Sequence, residues 1–343
     1  MALGAKMVPF AGWEMPVSYK SVVAEHQAVR NKAGIFDVSH MGRISIEGIS
    51  ASNVVDYLST NTILGKGAGQ ATYTVWCNGE GGAIDDLIVY QESSEQFFIV
   101  ANASNREKDY HHLKQYAQNC VVLPHYEEEG ILAIQGPEAI ELALPLFPEL
   151  KQLKSMHFIS TTFEGSPLYL AATGYTGEKG FEVYAPNAIL PALWDRFLAC
   201  GIVPVGLGAR DTLRLEMGYA LYGHELKEER PANESVAAWA IKLEKGDFLG
   251  KMALQELAKK GKTHFPAALL MQTEGIPREG YPVHSSGRRI GAITSGTFSP
   301  SLSKGIALAL LDTSVPIGQN MEIEIREKYC PATVVKLPFW RKT

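Results

Sequence analysis

The sequence predicts an α+β protein: two copies of a split βαβ, ferredoxin-like unit with antiparallel sheets, followed by a small all-β domain. Three observations predict it. Ile44-Ser45-Ile46-Glu47-Gly48 is matched further on by Leu132-Ala133-Ile134-Gln135-Gly136, and a helical stretch follows each copy. Each half then continues with two strands, a helix and a closing strand. Beyond the basic, breaker-rich stretch Lys259-Lys260-Gly261-Lys262, short β-like runs alternate with Gly, Pro and Ser turns. These shifts divide the chain into residues 1–130, 131–260 and 261–343.

In the first half, 51–58 is predicted helical, 72–77, 84–90 and 97–100 extended, and 106–117 helical with Asn105 or Ser104 as its cap. Residues 121–123 close the unit. In the second half, Pro137 directly after Gly136 suits a first helical turn, so 137–146 is predicted helical. Strands at 168–173 and 181–184, a helix at 188–198 and a closing strand at 202–205 complete it. A Gly-rich turn, Gly206-Leu207-Gly208, leads into a helix over 209–216. The C-terminal strands are expected at 267–271, 289–294, 307–311, 321–325 and 333–335.

Composition bounds the function. The chain has 343 residues, 46% hydrophobic and 20% charged, as in ordinary globular proteins. A net charge of −5 argues against a non-specific nucleic-acid binder, though not against a small anion held by local arginines. No apolar run approaches the roughly 20 residues that span a bilayer, and no secretory signal is expected. Cys77, Cys120, Cys200 and Cys330 are scattered and read as reduced thiols in a cytoplasmic setting. The nine histidines show no metal-ligand spacing, so no metal is expected.

The residues that stand out chemically are carboxylates in apolar company. Asp85 and Asp86 interrupt the strand-like run from Ala83 to Tyr90. Side chains alternate along a strand, so one carboxylate must face apolar neighbours whichever face is buried. Such a group needs a partner, a proton or a ligand; the alternative is a turn role beside Asn78-Gly79-Glu80-Gly81-Gly82. The same repeat offset carries Asp85 onto Thr173, at the head of Gly174-Tyr175-Thr176-Gly177, so the two segments are expected in equivalent places. Tyr175 and Glu182 flank that glycine-rich turn, which lacks nucleotide-loop spacing. Arg210 and Arg214 lie one helical turn apart, either as an anion clamp or as an ion-paired face. The aromatics Tyr73, Tyr90, Tyr175, Tyr219 and Trp340 suit the core or a flat ring. Taken together, these residues describe a binder of a small polar ligand.

Six motifs in order give that ligand an expected identity: Phe10-Ala11-Gly12-Trp13-Glu14-Met15-Pro16, Phe36-Asp37-Val38-Ser39-His40-Met41, Gly82-Ala83-Ile84-Asp85-Asp86-Leu87, Thr173-Gly174-Tyr175-Thr176-Gly177-Glu178, Gly208-Ala209-Arg210-Asp211-Thr212-Leu213-Arg214-Leu215-Glu216 and Thr294-Ser295-Gly296-Thr297-Phe298-Ser299-Pro300. Over roughly 300 residues the chain resembles the aminomethyltransferase (T-protein) family of the glycine cleavage system. The resemblance implies a cloverleaf with a C-terminal β barrel or jelly-roll-like domain and tetrahydrofolate as co-substrate. It implies transfer of an aminomethyl carbon from the lipoyl arm of the H-protein, giving 5,10-methylenetetrahydrofolate, ammonia and the dihydrolipoyl carrier. It assigns Asp85 as the catalytic aspartate and Tyr73, Tyr175, Glu182, Arg210, Tyr219 and Arg341 as folate-binding. No nucleic-acid or membrane partner is implied, and the location is cytoplasmic, or the mitochondrial matrix in a eukaryote. The alternatives are a folate-dependent demethylase of the same fold and a non-catalytic folate-binding assembly protein; the latter's Lys-Gly-Cys signature is replaced here by Lys245-Gly246-Asp247.

Overall fold

The two halves of the repeat correspond strand for strand apart from one strand added to the second. The computed structural model describes residues 3–342, which divide into two units. One comprises the chain up to Trp76, Asp85–Arg210 and Glu244–Leu249; the other comprises Cys77–Ile84, Asp211–Leu243 and the described chain from Gly250.

The first copy of the repeat forms a five-stranded sheet in the order Gln70–Cys77, Ala83–Gln91, Gln96–Ala101, Gly42–Glu47, Val121–Pro124. The second forms a six-stranded sheet in the order Phe158–Phe163, Ser166–Ala171, Gly180–Pro186, Glu129–Gln135, Gly34–Asp37, Val203–Pro204. The orders match except for one added strand. Gly34–Asp37 lies between the repeat strand and the closing strand, antiparallel to the former and parallel to the latter. It comes from the chain before the repeat, so local patterning did not reveal it. Phe158–Phe163 was also not predicted: its central run Ser160-Thr161-Thr162 is polar, yet it pairs along its whole length with Ser166–Ala171.

Helices Ala51–Leu58 and Arg106–Tyr116 belong to the first copy, and Ala139–Ala143 and Leu190–Ala199 to the second. The helix expected over 137–146 is shorter because Pro145 lacks an N–H and its ring crowds the preceding turn. A 3-10 turn, Pro148–Gln152, follows. The second sheet's core packs Ile35, Leu132, Ile134, Leu170, Phe181 and Val183 against Phe147, Leu193 and Phe197. Each such buried side chain contributes about 1.5–3 kcal/mol relative to exposure. The N-terminal hairpin, Lys6–Phe10 with Trp13–Ser18, and helix Val22–Asn31 are additions to the sequence reading.

In the second unit six strands close into a barrel in the order Phe265–Met271, Lys304–Leu311, Arg288–Ser299, Pro282–Ser285, Asn320–Ile325, Lys328–Val335. All five expected runs fall inside these strands. Pro282–Ser285, too short and polar to read as a strand, completes the ring.

The glycines that end the repeated strand explain why the motif recurs. Gly48 and Gly136 adopt φ of +150° and +140°. A Cβ would come within 2.4 Å of the Asn119 carbonyl oxygen at Gly48, and within 2.4 Å of the Lys32 carbonyl oxygen at Gly136. Backbone strain and a clash with rigid main chain therefore combine at both positions. Gly136→Ala should lower stability by about 2–4 kcal/mol in urea titration, as strain and overpacking add. Gly165→Ala, at φ +83° with open space around it, should cost about 1 kcal/mol. Equal losses in the two variants would refute the steric explanation.

Candidate active site

The carboxylate pair sits in strand Ala83–Gln91, which is buried on both faces: Asp85 is 0% exposed and Asp86 9%. Neither faces water, so both need hydrogen bonds. Asp85 receives three N–H groups. The Asn102 backbone N–H donates to Oδ2 at 3.0 Å, the Asn102 amide to Oδ1 at 2.9 Å, and the Asn105 amide to Oδ1 at 2.7 Å. These donors follow directly on strand Gln96–Ala101, where the chain turns into helix Arg106–Tyr116. Asn105 does occupy the helix N-cap position, but its side chain does not cap; it goes to Asp85 instead. The turn role considered for Asp85 and Asp86 belongs to Asn78, whose side-chain oxygen accepts from the Glu80 and Gly82 N–H groups.

Asp86 accepts from the Tyr73 hydroxyl at 3.0 Å and from the Asn102 amide at 3.2 Å. Burial and the adjacent Asp85 charge push its pKa up to about 7. The Tyr73 hydroxyl is held well above its ordinary range, mainly by burial and then by the Asp86 charge. Tyr73 thus enters the site through its hydrogen bond to Asp86.

A second cluster forms around Glu182, in strand Gly180–Pro186. Its Oε2 accepts from the Thr173 hydroxyl at 2.5 Å, the Tyr184 hydroxyl at 2.8 Å and the Tyr90 hydroxyl at 3.5 Å; Oε1 takes none of these. Tyr90 belongs to the same strand as Asp85 and also bonds the Thr173 hydroxyl at 3.0 Å and the Tyr184 hydroxyl at 2.7 Å. The repeat offset does not put Asp85 and Thr173 in equivalent places, since Asp85 lies near the start of Ala83–Gln91 and Thr173 follows the end of the corresponding strand Ser166–Ala171, but Tyr90 of the Asp85 strand joins Thr173.

The glycine-rich turn beside Glu182 is anchored. The Gln135 amide donates to the Thr173 carbonyl at 3.1 Å and accepts from the Thr176 hydroxyl at 2.9 Å. Arg30 donates to the Thr176 carbonyl at 2.8 Å and pairs with Glu178 at 3.0 Å. A Cβ on Gly174 would come within 2.0 Å of the Gln135 side-chain oxygen, so a larger residue would displace the amide that anchors the turn. Tyr175, on this turn, lies under the Arg210 guanidinium, 4.7 Å from its ring centroid. Burial pulls the Arg210 pKa down from its ordinary value, against the opposing influence of Tyr175 and the Glu182 charge. Burial, then the charges of Arg210 and Arg106, drive His40 down to about 3, so this histidine is neutral at physiological pH.

The structure thus gathers Tyr73, Asp85, Tyr175, Glu182 and Arg210 in the first unit. Tyr219 and Arg341 lie in the second unit, where Arg341 is exposed and donates to the Leu337 carbonyl at 3.3 Å. Arg214 is not part of an anion clamp. It is nearly buried and satisfied by Asp211 at 2.8 Å, Glu225 at 3.3 Å and Ser295 at 3.0 Å. Asn102, Asn105, Gln135 and Arg30 were not singled out as site residues from the sequence. Their signal, amides and an arginine at turn and helix positions, is too common to stand out. A cavity of about 400 Å³ in the second unit, lined by His224, Lys227, Arg230 and Arg289 among others, contains none of the predicted site residues. Among the described residues no His, Cys, Asp or Glu group could hold a metal ion, and no helix is long and apolar enough to cross a membrane.

Comparison with known proteins agrees with this architecture. The GCVT N-terminal domain family matches residues 1–245, and the glycine cleavage T-protein C-terminal barrel domain family matches residues 267–340. The aminomethyltransferase of Rubrobacter xylanophilus is 44% identical, covering 99% of this chain and 92% of that protein. That of Herpetosiphon aurantiacus is 41% identical, covering 99% and 96%. The crystal structure of the glycine cleavage system aminomethyltransferase T from Bartonella henselae superposes with a TM-score of 0.93 at 32% identity, over 99% of this chain and 95% of that one. With both family domains matched in order and full-length relatives above 40% identity, the chain belongs to the aminomethyltransferase (T-protein) family of the glycine cleavage system.

Proposed function

We propose that the chain moves the aminomethyl carbon carried on the lipoyl arm of an H-protein to tetrahydrofolate, releasing ammonia and the dihydrolipoyl carrier. The carbon leaves sulfur and nitrogen and ends bonded to two folate nitrogens as 5,10-methylenetetrahydrofolate. Tetrahydrofolate supplies the nitrogen nucleophile. The observation that carries the reading is Asp85, a fully buried carboxylate whose hydrogen-bond donors are all uncharged. Such a group is a fixed negative charge in a low-dielectric site, suited to a cation that develops as the amine departs.

The remaining residues divide binding between them. Glu182 keeps Oε1 clear of its hydroxyl ligands, which suits acceptance from the paired N–H groups of a pterin edge. Tyr175, under the Arg210 guanidinium, offers an aromatic wall, and Tyr73, held by its hydroxyl on Asp86, another. Tyr219 and Arg341 take the folate contacts that the family resemblance assigns to their positions. The quoted relatives are bacterial, and we place the reaction in the cytoplasm.

Three outcomes test this reading. Asp85→Asn should lower kcat for folate-dependent ammonia release by at least about 100-fold, the scale of losing one preorganised charge contact, with KM for tetrahydrofolate changed little. Unchanged turnover would remove Asp85 from the mechanism, and release without folate would remove the co-substrate. Glu182→Gln should instead raise KM for tetrahydrofolate by about tenfold, the value of one charge-assisted hydrogen bond. Asp86 should show itself in stability. Its folded-state pKa is raised from 3.8 to about 7, so ionisation penalises the folded state progressively as pH climbs through that window. Asp86→Asn should therefore gain Tm relative to the parent protein as pH rises from about 4 to about 8; a pH-independent difference would contradict the assignment.

A further inference from the structure

We infer that Asp109 is a neutral carboxylic acid whose O–H donates to Asp85, and that it is a positioning residue for that carboxylate. The inference rests on the reading of Asp85 given above. In sequence, Asp109 is an acidic residue in the first turn of helix Arg106–Tyr116, where such charges usually sit in water and favour the helix dipole. Here it is 0% exposed. Neither of its carboxyl oxygens receives a hydrogen bond from an N–H or O–H among the described residues. Its hydrogen-bonding neighbour is the Asp85 carboxyl.

Two ionised carboxylates cannot hydrogen-bond each other, so this contact requires a proton on one of them. Asp85 receives three N–H donors and Asp109 receives none. Donors stabilise the ionised form of the group that accepts them, so Asp85 is the anion and Asp109 the acid. The charged groups around Asp109 favour the same division. Asp85 and Asp86 on strand Ala83–Gln91 add to burial in holding its proton, and Lys108 of its own helix opposes them. Asp109 lies one turn beyond Asn105 and its N–H bonds the Asn105 carbonyl at 2.8 Å, so both reach Asp85 from one helix. Asp85 then accepts four hydrogen bonds and keeps its full charge.

Two variants and a spectrum test this. Asp109→Asn keeps an uncharged donor toward Asp85 and should retain kcat within about threefold. Asp109→Leu removes the donor and should lower kcat at least about tenfold, with KM for tetrahydrofolate within about threefold. Equal losses in both variants, or full kcat in Asp109→Leu, would overturn the inference. Infrared difference spectra of Asp109→Asn against the parent protein, without substrate and above the Asp86 titration near 7, should show loss of a protonated-carboxyl band. Absence of that band from the parent protein overturns the inference even if Asp109→Leu fails to fold. A band present in a protein that releases no ammonia upholds Asp109 as the acid and refutes the proposed reaction instead.

Discussion

Everything in the candidate site follows from placing a carboxylate where water cannot reach it. Asp85 has no exposed surface. An ionised carboxylate in such a place is costly unless hydrogen bonds replace its hydration. The fold answers by bringing a second chain segment to the strand at that point. Strand Gln96–Ala101 pairs with Ala83–Gln91, and the turn that follows it supplies Asn102 and Asn105. The helix beginning at Arg106 is thereby fixed in direction, and with it Asp109. Asn102 also reaches the Asp86 side chain and backbone carbonyl, so one amide ties both aspartates to the same turn.

The second cluster satisfies the same constraint with different chemistry. Glu182 is 8% exposed and takes its hydrogen bonds from hydroxyls, those of Thr173, Tyr184 and Tyr90. Tyr90 is the element common to both clusters, since it grows from the strand of Asp85 and ends among the partners of Glu182. Its ring is stacked on Phe98 at 4.4 Å and meets Phe158 and Tyr184 edge-on. That packing fixes the hydroxyl, because a ring enclosed by three aromatic neighbours cannot swing. The burial of aromatic surface therefore also sets the position of a polar atom.

How much of this was legible in the sequence varied with the range of the interaction. The repeat was legible because one residue type marks it in each copy: Gly48 and Gly136 each end a strand at a positive φ that another residue would not tolerate. The barrel strands were legible from turns and alternation. Gly34–Asp37 was not, because it joins the second sheet far from its place in the chain, whereas the closing strand expected at 202–205 is present as Val203–Pro204. Asp85 was conspicuous as a charge in an apolar run. Asn105 was visible only as a helix cap, since the sequence places it at the N-cap but does not reveal that a carboxylate 20 residues away takes its amide. Arg214 shows the reverse case. Its spacing from Arg210 suggested shared work on an anion, yet it is neutralised by Asp211 and Glu225.

The choice of donors has a consequence for chemistry. A buried carboxylate paired with Arg or Lys is stabilised, but its field is largely cancelled; Arg214 with Glu225 and Lys245 with Asp56, at 2.9 Å, are pairs of this kind. Asp85 and Glu182 accept their hydrogen bonds from amides and hydroxyls, which stabilise the anion through dipoles and leave its net charge in place. In a medium of low dielectric that charge acts strongly on anything cationic that arrives or forms beside it. Neutral donors also do not titrate near physiological pH, so the hydrogen bonds that hold these two carboxylates persist where a histidine partner would lose or gain a charge. The protein thus uses ion pairs where it needs structure and neutral hydrogen bonds where an uncancelled charge is required.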